Sequence, residues 1–163
     1  MTASLQRITT EYCPEQDRLR LSGQPDQAAP VVVWLSRRLL GRLLPALLGW
    51  LERQDGGAQA PALLGYEQQA ARAGLQPQAP VRALADGAAW LALTVELTMA
   101  PQRLTLTFQG GPGRSASLAL EPTALRQWLG IVHDAERQAD WALPVWPAWM
   151  RAPPPAAAAA LLH

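Results

Sequence analysis

His133, Glu136 and Asp140 stand three and four residues apart in a segment patterned as a helix. That spacing lines an imidazole and two carboxylates along one helical stripe, the raw material for a metal site or an acid–base pair. A transition-metal site wants at least three convergent ligands. The only other histidine, His163, is the last residue. Arg137 lies among the acids, so the stripe reads equally well as a solvated helix face. Cys13 is the one thiol. A catalytic thiol needs a base, and the strand that carries Cys13 has no evident reason to approach His133. No G-x-S-x-G elbow occurs. Gly110-Gly111-Pro112-Gly113-Arg114 has the glycines of a phosphate loop. Strand-like sequence follows it, however, where a phosphate cradle opens a helix. A hairpin turn is the better reading. Nothing in these residues requires a cofactor or a metal.

Charge is equally plain. All 14 basic residues are arginine, 13 acids balance them, and the net charge is +1. The absence of Lys and Asn fits the codon usage of a GC-rich bacterial genome. A nucleic-acid partner is not expected: Arg7, Arg18 and Arg20 make at most a small patch, diluted by Glu11 and Glu15 and without interleaved aromatics. Arg37, Arg38 and Arg42 interrupt the longest apolar stretch, Val31–Leu51, so a spanning helix is not expected. The first residues lack a charged start followed by an apolar run. A single cysteine suits a reducing compartment, and a cytoplasmic location is the default expectation.

Apolar anchoring groups, by contrast, are abundant. Seven tryptophans occur, three of them within nine residues: Trp141, Trp146 and Trp149, followed by Met150. Rigid aromatics on a proline-stiffened segment suit an interface, because little entropy is lost on docking. Trp141, Trp146, Trp149 and Met150 are therefore the expected partner-binding residues, with a protein partner or a second copy as the ligand. The same residues can instead fold back as lids on their own core. A homodimer satisfies both readings. The expected function is a non-catalytic binding or assembly protein. The alternatives are a ligand-binding or enzymatic domain with a pocket between sheet and helix, and a peripheral membrane protein using the Arg/Leu helix.

The elements that must position these residues follow from periodicity. Leu5–Cys13 and Arg18–Ser22 alternate around a Pro14–Asp17 turn, as a hairpin does. Val31–Leu35 favours a short strand. Ser36 can cap a helix to about Arg53, with leucines at 39, 40, 43, 44, 47, 48 and 51 on one face. Pro45 inside it predicts a kink or a split. A weaker helix, with Leu63, Leu64, Tyr66, Ala70 and Ala71 as its contacts, starts at Pro61. Gln76–Asp86 reads as a mobile connector. Three alternating runs over Leu91–Met99, Leu104–Phe108 and Ala116–Leu120 form a meander. A helix follows to about Trp141, with Arg126, Gly130, His133 and Asp134 on its outer face. The prolines at 144 and 147 predict extended chain. The sum is an α+β fold: an antiparallel sheet of five to six strands covered by two helices, spanning 1–150, with a flexible Pro/Ala-rich tail over 151–163. Each strand group precedes a helix, a faint two-fold echo that the unequal strand counts set aside.

Overall fold

The computed structural model describes residues 2–54, 60–82 and 89–151. The fold is α+β, in the order β1 (Ala3–Cys13), β2 (Arg18–Pro25), β3 (Val31–Leu35), α1 (Arg37–Glu52), α2 (Pro61–Ala73), β4 (Ala89–Leu91), β5 (Thr94–Met99), β6 (Leu104–Gln109), β7 (Ser115–Leu120), α3 (Pro122–Ala139) and α4 (Ala148–Arg151). The strands form one sheet in the order β4-β3-β2-β1-β7-β6-β5. It has seven strands, and two of its pairings, β1 with β7 and β3 with β4, are parallel. This corrects the purely antiparallel sheet of five to six strands. The sequence pattern sees one continuous run where the chain makes two strands with different partners.

The reason lies at Ala92 and Leu93. The Ala92 N–H donates to the Trp34 carbonyl of β3 at 3.0 Å, and the Leu93 N–H to the Gln109 carbonyl of β6 at 2.8 Å. β4 and β5 lie at opposite ends of the strand order, yet these two residues, at most about 7 Å of chain, join them. The sheet therefore curls until its two ends meet. Trp90 closes the seam by lying over Gly110: a Cβ there would stand 2.3 Å from the indole Cε3 and 2.8 Å from the Leu91 carbonyl oxygen.

The curled sheet is a duplication. β1-β2-β3-α1 and β4/β5-β6-β7-α3 repeat one path. Leu19 pairs with Leu35 and Leu21 with Val33 in the first half. Leu104 pairs with Leu120 and Leu106 with Leu118 in the second, a constant offset of 85 residues. The offset carries into the helices, where Leu40, Leu44 and Leu47 of α1 match Leu125, Leu129 and Val132 of α3. All six are fully buried. Each parallel pairing joins the first strand of one half to the third strand of the other. Because β4 and β5 are one strand split in two, the strand counts are equal and the two-fold echo is real.

One hydrophobic cluster contains the inward strand residues and the inner faces of α1 and α3. Alternation puts the apolar residues of β2, β3, β6 and β7 on one face of the sheet, and the leucines of α1 fill it. Ser36 caps α1 by accepting the Leu39 N–H at 3.1 Å. The helix runs from Arg37 to Glu52 as a single element through Pro45, whose ring faces solvent. Seven buried side chains hold it across that break. The expected connector is partly docked: Val81 is buried and its N–H donates to Thr9 Oγ1 at 2.8 Å. Residues 83–86 of that segment lie outside the described residues. So does the tail from 152 onward.

Candidate functional site: a groove beside the second repeat's helix

The Trp/Pro segment folds back onto its own chain. Trp141, Trp146, Trp149 and Met150 are between 5% and 7% exposed and belong to the core cluster. Of the two arrangements open to these residues, exposed anchors or lids on their own core, they take the lid arrangement. Their apolar area supplies the driving force, and two of the three indoles find acceptors. Trp141 Nε1 donates to Asp17 at 2.9 Å and Trp149 Nε1 to Glu52 at 3.1 Å. Trp146 Nε1 is buried with no partner among the described residues. Nor is the segment extended throughout. Ala142 sits at φ 53°, and Ala148–Arg151 makes the single turn of α4. Pro147 precedes that turn and supplies the carbonyl that receives the Met150 N–H, a role that needs no N–H of its own.

The outer face of α3 is covered as well. Arg126, Gly130, His133 and Glu136 are all buried, because α2 packs across this face. Gln68 Nε2 donates to the Arg126 carbonyl at 2.8 Å, and Gln127 Nε2 to the Ala71 carbonyl at 3.0 Å. Arg126 pairs with Glu67 at 2.7 Å and Arg72 with Asp134 at 3.1 Å. Polar residues there gave the sequence pattern of a wet face, but they bond a second helix. In α2 itself Leu64, Gly65, Gln68 and Ala71 are buried, while Leu63, Tyr66 and Ala70 face outward.

Between α2, the last turns of α3 and the Trp/Pro segment lies a groove of about 1540 Å³. Tyr66, Ala70 and Ala73 line it from α2; Leu143, Pro144 and Met150 line it from the C-terminal segment. His133 and Glu136 lie at its base, where α1 at the same offset carries Leu48 and Leu51. The His133 ring packs edge-on against Trp146. Burial lowers the His133 pKa from its ordinary value; the neighbouring Asp134 and Glu136 oppose that shift, and Arg137 and Arg72 add to it. Glu136 Oε1 takes the Leu143 N–H at 2.6 Å and so ties the C-terminal segment to α3.

The other candidates separate. Asp140 is exposed at the α3 C-cap with φ 55°, away from buried His133 and Glu136. Among the described residues, no three His, Cys, Asp or Glu side chains converge as metal ligands. Cys13 ends β1 and points its thiol at Glu15 Oε2, 3.3 Å away. Gly111 and Gly113 take the positive φ values of the β6–β7 hairpin. No helix among the described residues is long and apolar enough to cross a membrane. No family model matches the chain, and neither does any curated protein or solved structure.

Proposed function

We propose that the chain is a non-catalytic protein-binding or assembly module, and that its groove receives an extended apolar segment of a protein partner. Tyr66 carries this reading. It is 71% exposed beside a groove lined by alanines, Leu143, Pro144 and Met150, with Arg72, Asp134, Arg137 and Arg151 also in its lining. A large aromatic left in solvent beside an apolar cleft is the arrangement of an interface anchor. The tryptophans act indirectly here: Trp146 and Met150 form part of the groove, while Trp141 and Trp149 fasten the segment that builds its wall. Deleting 142–163 would strip Trp146 and Trp149 from the core, so point substitutions are the cleaner test. A photo-crosslinking residue at position 66 in the native host should capture one discrete partner. Leu143→Arg should abolish that adduct while leaving the fold intact. An adduct pattern identical to that from a crosslinker at Thr94, on β5, overturns the reading.

A small ligand hydrogen-bonded to His133 is the second reading, favoured by the imidazole among the residues that line the groove. A fragment screen that moves the His133 ring resonances without a protein partner would support it.

A further inference from the structure

The duplication exposes a surface separate from the groove. On α3, Arg126, Gln127, Gly130 and Asp134 form the stripe on which α2 lies; a Cβ on Gly130 would meet Arg72 and Gln68 at 3.5 Å. The same offset places Gly41, Arg42, Pro45 and Gly49 on α1. There a Cβ on Gly41 would meet nothing within 4 Å, and Pro45 and Arg42 are exposed. The second repeat begins its own version of α2: Pro147-Ala148-Trp149-Met150 echoes Pro61-Ala62-Leu63-Leu64. It is described as helix only to Arg151. Among the described residues, the α1 stripe has no helix upon it.

We infer that this stripe is a docking seat for an acidic helix of a partner protein. Shape and charge agree on that occupant. Gly41 and Pro45 leave a shallow channel along α1, closed off at Gly49 by the Arg53 guanidinium, which a Cβ there would meet at 3.1 Å, and close helix approach wants small residues at the crossing. Arg38, Arg42 and Arg53 are exposed on the same stripe and none has a carboxylate partner among the described residues; the stripe also carries Glu52, which accepts the Trp149 indole N–H. Three guanidinium groups against one carboxylate along this stripe favour a helix bearing carboxylates. The chain's own residues 152–163 contain no acid, so they do not complement the seat. Anionic lipid fits less well, because the leucines of α1 are committed to the core and leave no apolar stripe to insert.

The probe is a synthetic peptide of residues 61–73 made acidic by Gln68→Glu, Gln69→Glu and Arg72→Glu, titrated into the isotope-labelled full chain. Amide shifts should centre on Arg38, Gly41, Arg42 and Gly49. Arg38→Glu with Arg42→Glu should weaken binding at least tenfold. Gly41→Leu should do the same by filling the channel, while melting no lower than the parent. Tyr66→Ala should bind as the parent does, which separates this seat from the groove. The inference is overturned by the absence of saturable binding, or by binding that Gly41→Leu leaves unchanged. Binding that appears only after residues 152–163 are removed also overturns it, and so does an equal response to phosphatidylglycerol vesicles.

Discussion

The His133 imidazole meets the Trp146 indole edge-on, with ring centres 4.6 Å apart and planes inclined at 65°. One ring belongs to a helix and the other to an irregular segment thirteen residues later. Their contact is where the last part of the chain is pressed onto α3. Trp146 is 7% exposed and His133 9%. A proton on the imidazole would place a charge against an apolar ring at the base of the groove.

The pH dependence follows from that contact. Burial puts the folded pKa of His133 below its ordinary value, whereas in the unfolded chain the ring titrates near ~6.5. Between those values the unfolded state holds the extra proton, so stability falls as the pH drops below about 6.5. His133→Leu, which copies Leu48 of the first repeat, should remove that slope. Urea midpoints at pH 7.5 and 5.5 measure it. A variant as acid-sensitive as the parent in this window would show that His133 is not the group responsible.

The duplication makes a paired prediction about the core. Leu44 of α1 and Leu129 of α3 occupy matching positions, and both are 0% exposed. Leu→Ala at either site removes the same buried methyl groups and leaves a cavity, at a cost of ~2–5 kcal/mol. Denaturant unfolding should give values within about 1–2 kcal/mol of each other, within the scatter of such substitutions. A negligible loss at one site would show that the two helices are not equivalent parts of one core.

Much of this fold is legible in residue order. The leucines of α1, the β1–β2 hairpin and the meander after Thr94 all follow from alternation or helical spacing, because each has one buried face. The seam at Ala92–Leu93 does not show, because a strand that changes partner keeps the same alternation. The groove is hidden for a related reason. Arg126, His133 and Glu136 look like a wet face, and only a second helix laid across them makes them interior. One signal was present: a constant offset of 85 residues links Leu19, Leu21, Leu35, Leu40 and Leu44 to leucines of the second half. Under that offset the polar residues of α3 oppose Gly41, Leu48 and Leu51, which marks α3 as the helix with extra business.

The seam itself is tested at Gly110. Its φ is unexceptional, so the need for glycine comes from space: the Trp90 ring and the Leu91 carbonyl occupy the volume of a side chain. Gly110→Val should cost ~1–3 kcal/mol through overpacking. Trp90→Ala should relieve that clash, so the double variant should lose less than the sum of the two single losses. Strict additivity in thermal unfolding would place the clash elsewhere.

A second fastening of the C-terminal segment is polar. Asp17 sits in the β1–β2 turn at φ 50° and accepts hydrogen bonds from Tyr12 Oη at 2.8 Å and Trp141 Nε1 at 2.9 Å. The Tyr12 and Trp141 rings also meet edge to face, 6.0 Å apart. The Trp141 and Tyr12 donors favour the ionised carboxylate and lower its pKa. That contribution is present above the ordinary carboxylate value and is lost as the pH falls through the lowered one. Asn tolerates the left-handed turn, so Asp17→Asn keeps the backbone and removes the charge. It should weaken the hold on Trp141 without disturbing β1 and β2. In the parent, the Trp141 indole N–H resonance should move on acid titration as Asp17 protonates; in Asp17→Asn it should stay fixed. Tyr12→Phe should raise the Asp17 pKa by removing one donor. A resonance that titrates identically in all three proteins would show that Asp17 does not hold the segment down.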